Sequence, residues 1–229
     1  MHFGIIRQIS TNMTINNPLF FEKLLPEEQD LLIKKTIEIS YTKNENIFKQ
    51  GEFVAKALFI KSGYVKLYND CQNVTRTFCI LPAGNFACLP TVVTQSEYLY
   101  SMSAYPGTVV YQTDIEIIRN LFKTNGQFAY ELMGKVNTTI IDYHLDKIFR
   151  ASPGSTMSKL VRSLLFLSDK VFYSEKFDML LTRIELSQIS GISRENTIRS
   201  LTLLNKKGLM EINGRIIRII NREALEKLV

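Results

Sequence analysis

The sequence predicts an α+β chain: an N-terminal antiparallel β-barrel of the jelly-roll type, a long helix, and a C-terminal winged helix-turn-helix. Three observations predict it. Between residues 37 and 111 short apolar runs recur, with glycines at 51, 63, 84 and 107 at the corners, the pattern of a sandwich or barrel. From residue 126 to residue 150 the apolar spacing turns helical without a break. Near the C-terminus two helical runs flank Gly191, and two short apolar runs then flank Asn213-Gly214, the strongest short-range signal for a hairpin.

Residues 1–18 read as a tail, closed by Asn16-Asn17-Pro18. A short helix is expected over 25–32, where Pro26 is tolerated in the first turn and Glu27 and Glu28 suit the helix dipole. Strands are expected at 37–41, 46–48, 57–60, 64–68, 75–81, 98–104 and 108–111, which makes residues 19–125 a barrel domain. Asp114 is the expected N-cap of a helix whose Ile115, Ile118, Leu121 and Phe122 share one face.

The connecting helix and hinge occupy 126–152. Met133, Val136, Ile140 and Tyr143 repeat at 3-4-3 spacing, and Phe128, Leu132, Ile141, Leu145 and Ile148 add apolar surface elsewhere. A helix apolar on more than one side buries one face on its own barrel and another on a partner, for which the economical choice is its twin in a homodimer. The alternative is a helix packed wholly inside a monomeric core. Pro153-Gly154 ends it and opens the last domain, 153–229, where Leu160, Leu164, Leu165 and Leu167 are expected to bury.

In that domain Ile184, Leu186 and Ile189 precede Gly191, and Ile198, Leu201 and Leu204 follow it at helical spacing and are expected to turn inward. Glycine enters a left-handed turn without steric penalty, so Gly191 is the corner. Ser193 falls where an N-cap belongs and Glu195 in the first turn. Arginine suits guanine, glutamate the cytosine amino group and asparagine adenine, and Arg194, Glu195, Asn196 and Arg199 supply all three. The Asn213-Gly214 hairpin, expected as a type I′ turn, forms a wing whose Arg215 and Arg218 can meet phosphates. The plainer alternative is an amphipathic helical hairpin with a solvated charged face. Charge favours the first reading: residues 1–152 hold 15 Lys/Arg against 14 Asp/Glu, whereas 153–229 hold 13 against 8, the footprint that phosphate binding requires.

Other classes find less support. No run approaches the roughly 20 apolar residues that span a bilayer, and Met1-His-Phe-Gly-Ile-Ile-Arg lacks the apolar core of a signal peptide; a cytoplasmic protein without a membrane partner is expected. Cys71, Cys79 and Cys88 have no paired metal-site spacing, and the histidines are His2 and His144. No metal or cofactor is therefore expected, and the cysteines read as small buried hydrophobes, with a thiol switch as the alternative. An enzyme needs a metal-ligating histidine set or a nucleophile with its base, and neither is furnished.

Phe48-Lys-Gln-Gly51-Glu52, followed by Leu58-Phe-Ile-Lys-Ser-Gly63-Tyr-Val-Lys-Leu67, resembles the barrel signature of the Crp/Fnr superfamily of bacterial transcription regulators. Gly191-Ile-Ser-Arg-Glu-Asn-Thr-Ile-Arg-Ser-Leu201 resembles its recognition helix, and the resemblance runs from about residue 19 onward. It implies a cupin-like, cyclic-nucleotide-binding-domain-like barrel and a homodimer that binds a two-fold symmetric site on double-stranded DNA through the helix starting at Ser193. It further implies that Arg194, Glu195 and Arg199 read bases, that Ser193 and Asn196 hold phosphate or an adjoining base, and that Thr182 and Arg183 touch the backbone. RNA polymerase and a small-molecule effector are the further partners to expect.

The sensing half departs from the resemblance. Cyclic-nucleotide-binding members carry Gly-Glu-Leu and then Arg-Ser-Ala, with the Glu on the ribose and the Arg on the cyclic phosphate; here stand Gly84-Asn85-Phe86-Ala87 and Tyr98-Leu99-Tyr100-Ser101, with no arginine between Arg76 and Arg119. Nothing there offers bidentate phosphate recognition, so cyclic AMP is disfavoured. Iron-sulfur members place cysteines near the N-terminus, and residues 1–70 contain none. A non-cyclic-nucleotide, non-iron-sulfur subtype is the expectation. Phe86, Cys88, Tyr98, Tyr100 and Met102 form either a pocket for an uncharged or aromatic effector or a filled core, and His144 is either a pocket residue or a structural one. The runner-up function is an effector-binding sensor that acts through protein partners without specific DNA binding.

Overall fold

The computed structural model describes residues 5–8, 21–71, 74–87, 96–151 and 154–229. They fall into two compact units, residues 1–70 with 80–141, and residues 71–79 with 142–229. Asn16-Asn17-Pro18, Cys88 and Pro153 lie outside the described residues, as do the side chains of Cys71, His144 and Leu145.

Two four-stranded antiparallel sheets form the β architecture. One has the order β1 (Ile5–Gln8), β2 (Thr36–Tyr41), β8 (Thr108–Asp114), β4 (Lys56–Ser62); the other has β3 (Glu45–Phe48), β7 (Ser101–Ala104), β5 (Tyr64–Cys71), β6 (Val74–Pro82). Alternation along the strands builds the core. Leu58 and Ile60 on β4, Val65 and Leu67 on β5, and Thr108 and Val110 on β8 are all at most 6% exposed, the two on each strand being two residues apart and so on one face. Helix α1 (Pro26–Lys35) precedes β2 and holds no fully buried residue.

Two differences from expectation concern strand ends. The tail contains a strand, since Ile5–Gln8 pairs antiparallel with β2 in the register Ile5↔Ser40 to Gln8↔Ile37; four residues with no polar alternation do not announce one. Residues 98–100 are not in β7. Instead Tyr98 exchanges backbone bonds across the chain, its N–H donating to Glu52 O at 2.9 Å and its carbonyl accepting from Gly51 N at 2.9 Å.

The β4–β5 corner needs glycine for two reasons. Gly63 has φ +81°, and a Cβ there would stand 2.7 Å from the Thr108 Cα. The Thr108 hydroxyl locks the corner, donating to Tyr64 O at 2.8 Å and accepting from Tyr64 N at 3.1 Å. Asp114 caps α2 (Ile115–Thr124), accepting from Glu116 N at 3.0 Å. The long helix α3 (Gly126–Ala151) follows, and its Phe128 and Leu132 are fully buried. Cys79 is buried and takes part in no disulfide.

In the second unit α4 (Thr156–Phe166), capped by Ser155, runs into a π-helical turn at Leu167–Phe172 rather than continuing as one α-helix. The turn ends at Tyr173, which has φ +50°. Leu160, Leu164 and Leu167 are at most 1% exposed, whereas Leu165 is only half-buried. Next come β9 (Lys176–Asp178), α5 (Arg183–Ser190), α6 (Arg194–Lys206), β10 (Met210–Asn213), β11 (Ile216–Ile219) and α7 (Arg222–Glu226). The wing is a three-stranded sheet of order β10-β11-β9, with β9 as a strand too short for sequence periodicity to register. Arg222 clasps Asp169 through two hydrogen bonds of 2.9 and 2.6 Å and Glu226 through one of 2.8 Å, tying α7 to the π-helical turn. The bond to Asp169 raises the Arg222 pKa further above its ordinary value.

The wing turn differs in type from expectation. Asn213 pairs with Ile216, so the two-residue loop is Gly214-Arg215. Of these two only Gly214 has positive φ, which puts the glycine at the first central position, as a II′ turn requires, whereas I′ needs positive φ at both.

Candidate nucleic-acid interface

The order of caps and corners in the second unit places the polar side chains. Thr182 starts α5 with a reciprocal capping box: its hydroxyl accepts from Glu185 N at 3.2 Å, and the Glu185 carboxylate accepts from Thr182 N at 2.8 Å. Gly191 ends α5 at φ +65°, the left-handed corner. Two residues later the Ser193 hydroxyl accepts from Asn196 N at 3.2 Å and starts α6.

Helix α6 buries Thr197, Ser200, Leu201 and Leu204, all at most 6% exposed. Thr197 tolerates full burial because its hydroxyl donates to Ser193 O at 3.0 Å. Arg194, Glu195 and Arg199 are exposed, and Asn196 is half-exposed. Arg199 Nη2 donates to Asn196 Oδ1 at 2.9 Å, so the asparagine steers the guanidinium. Ile198 does not turn inward. It is 44% exposed, because the buried stripe runs through Thr197 instead; Ile184 on α5 is likewise 50% exposed.

Arg183, in the first turn of α5, is half-buried, and burial lowers its pKa below the ordinary arginine value. It lines two open clefts. One, of about 260 Å³, lies between residues 179–182 and the wing turn at Gly214 and Arg215; the other, of about 190 Å³, is formed with Ile198, Leu201, Thr202, Asn205 and Ile212. The wing arginines are engaged by acids, Arg215 with Asp178 at 3.0 Å and Arg218 with Glu211 at 3.7 Å. These pairs are exposed, and such pairs are worth little individually. Asp178 comes from β9, so this partner of Arg215 was invisible without that strand.

Of the residues singled out for sensing, those whose side chains are described are packed among protein groups. Tyr98 stacks on Phe48 at 3.8 Å between ring centroids and donates its hydroxyl to Lys56 O at 3.1 Å. Tyr100 donates to Ala87 O at 2.8 Å, Phe86 meets Phe59 edge-on at 5.0 Å, and Met102 is fully buried. Asn85 is 6% exposed; its Nδ2 donates to Pro82 O at 3.1 Å and its Oδ1 accepts from the Thr139 hydroxyl of α3 at 3.0 Å. Among the described residues no three or more His, Cys, Asp or Glu side chains cluster as metal ligands, and no helix is long and apolar enough to cross a membrane.

On α3, Met133 and Ile140 are 40% and 43% exposed, but Val136 is 7% exposed within its own chain and Tyr143 packs edge-on against Phe166 at 5.1 Å. Tyr130 at 79% and Ile141 at 54% are more open. The exposed apolar stripe is thus offset by about a quarter turn from the Met133, Val136, Ile140, Tyr143 spacing; Val136 is already covered by its own chain.

Capped helices about a glycine corner, followed by a short hairpin, define a winged helix-turn-helix of the DNA-binding class, carried in one chain with a two-sheet β domain. Residues 158–228 match the Crp-like helix-turn-helix domain and residues 38–125 the cyclic nucleotide-binding domain. These two domains are those of a Crp/Fnr family transcription regulator. The chain is 22% identical over 191 residues to electron transport regulator A of Shewanella oneidensis, spanning 81% of this chain and 76% of that protein. The fold is similar to that of FixK2 from Bradyrhizobium japonicum, with TM-score 0.75 and 18% identity over 84% of this chain and 96% of that one. It is also similar to a CooA variant from Carboxydothermus hydrogenoformans, with TM-score 0.71 and 20% identity over 96% of this chain and 98% of that one.

Proposed function

We propose that the chain works as a homodimer that recognises a two-fold symmetric DNA site through α6, under the control of an effector other than a cyclic nucleotide. The observation that carries the DNA reading is the exposed face of α6. Arg194, Glu195 and Arg199 stand on it within two turns of the Ser193 cap, where the N-terminal part of a recognition helix meets base edges. Asn196 steers Arg199 and can reach an adjoining base. Ser193, Thr182 and Arg183 serve phosphates, and Arg215 and Arg218 join them by exchanging an exposed carboxylate for a phosphate oxygen.

The exposed apolar side chains of Tyr130, Met133, Ile140 and Ile141 on α3 favour a twin helix as their cover. A cyclic nucleotide is disfavoured by the lack of arginine between Arg76 and Arg119 and by the engagement of both ends of the Asn85 amide by protein groups. An uncharged or aromatic effector suits the Phe86, Tyr98, Tyr100 and Met102 surroundings better.

Selection of binding sites from random duplexes with the full chain, followed by footprinting, tests this reading. A two-fold symmetric consensus is the expected result; retention of the pool without enrichment at any sequence refutes it.

A further inference from the structure

Ile198, like Leu203 at 41%, is an apolar side chain of α6 left exposed. Burial and helical spacing put it one turn after Arg194, one turn before Thr202 and next to Arg199, on the face that carries the base-reading side chains. It is 44% exposed, and with Leu201 and Ile212 it forms the apolar lining of the cleft shared with Arg183, Thr202 and Asn205. Its neighbours on this face are charged or polar. An apolar β-branched side chain left open among them gains nothing from water, but it matches the one apolar group that a base presents in the major groove, the 5-methyl of thymine.

Resting on the DNA-binding reading above, we infer that Ile198 is a specificity-determining residue that reads thymine, its branched methyls seating against the 5-methyl of one thymine in each half-site. Arg183, which lines the same cleft, then belongs to the phosphate side of the same contact, and Arg194 and Arg199 flank it with hydrogen-bonding readout. One short helix face thus combines polar and apolar recognition. Because Ile198 contributes no hydrogen bond through its side chain, its discrimination is against loss of the methyl group, not against a change in donors and acceptors.

The test uses the full chain and duplexes carrying its own selected consensus. Each thymine is replaced in turn, in both half-sites, by deoxyuridine, which keeps every hydrogen-bonding group and removes only the methyl. One replacement is expected to weaken the native chain about fourfold per half-site, the effect of removing one methyl from an apolar contact. The same replacement is expected to leave Ile198→Ala binding unchanged, whereas Ile198→Val, which keeps the branch, retains the effect. A native chain indifferent to every replacement, a consensus half-site without thymine, or an equal methyl effect in Ile198→Ala overturns the inference while leaving the regulator reading intact. Failure to select any consensus overturns both.

Discussion

Asn196 holds Arg199 in place: the amide oxygen accepts from the guanidinium Nη2 at 2.9 Å, three residues along α6. An arginine arranged in advance loses less conformational entropy when it meets a base. Under the proposed reading, Arg199→Ala costs about 1–3 kcal/mol on the selected site and relaxes one base position. Asn196→Ala is expected to cost about 1 kcal/mol, and to cost much less when Arg199 is already alanine. Fluorescence titration of the four proteins with one duplex checks this; equal losses in both backgrounds would assign Asn196 a contact of its own.

Arg183 is the half-buried cation of the interface, and burial has already lowered its pKa. A partly desolvated charge is well placed to meet phosphate without further loss of water. Arg183→Ala is expected to weaken selected and random duplexes alike and to reduce the slope of log affinity against log salt by about 1. A sequence-dependent loss would make it a base reader instead.

The exposed α3 stripe separates two kinds of substitution. Ile141→Asp puts a carboxylate on the open face, at a residue 54% exposed. If a twin helix covers that face, the unpaired charge costs about 3 kcal/mol, or roughly a hundredfold in dimer dissociation constant. Val136→Asp instead strikes a residue 7% exposed within its own chain and is expected to lower the melting temperature at every protein concentration. Sedimentation and thermal scans across concentration distinguish them.

Tyr41 offers a pH-dependent handle on the β domain. Burial, with Glu45 nearby, pushes its hydroxyl up to about 12 from the ordinary 10.0. The folded state therefore holds the phenolic proton more tightly than the unfolded chain does. Its contribution is full below pH 10.0 and is lost as pH rises to about 12. Urea denaturation at a series of alkaline pH values should show stability falling through that window, and Tyr41→Phe should flatten the fall.

The sequence made some elements legible and not others for identifiable reasons. Gly63 and Gly191 marked real corners because only glycine adopts their backbone without strain, and the Asp114 and Ser193 caps marked helix starts for similarly local reasons. What depends on neighbours far along the chain was not legible. The residues of α3 are apolar on several sides, so spacing alone did not say which side its own chain covers, and Val136 proved to be on the covered one. The Asp178 partner of Arg215 required β9 to join the wing. Ile198 escaped because helical spacing allows Thr197 or Ile198 as the inward residue, and Thr197 could be buried once its hydroxyl found Ser193 O.

Both caps, Thr182 and Ser193, accept a backbone N–H through a hydroxyl oxygen. A hydroxyl has two lone pairs and one proton, so the cap leaves the proton available to donate outward. Asparagine or aspartate would start these helices as well as serine or threonine. Aspartate would also set a negative charge against any phosphate that approached, with no proton to offer at neutral pH. Helix stability alone therefore admits a wider choice of residue at positions 182 and 193 than an anionic ligand does. The tolerance of these positions to mutation should follow the charge of what they touch more closely than the helices they begin.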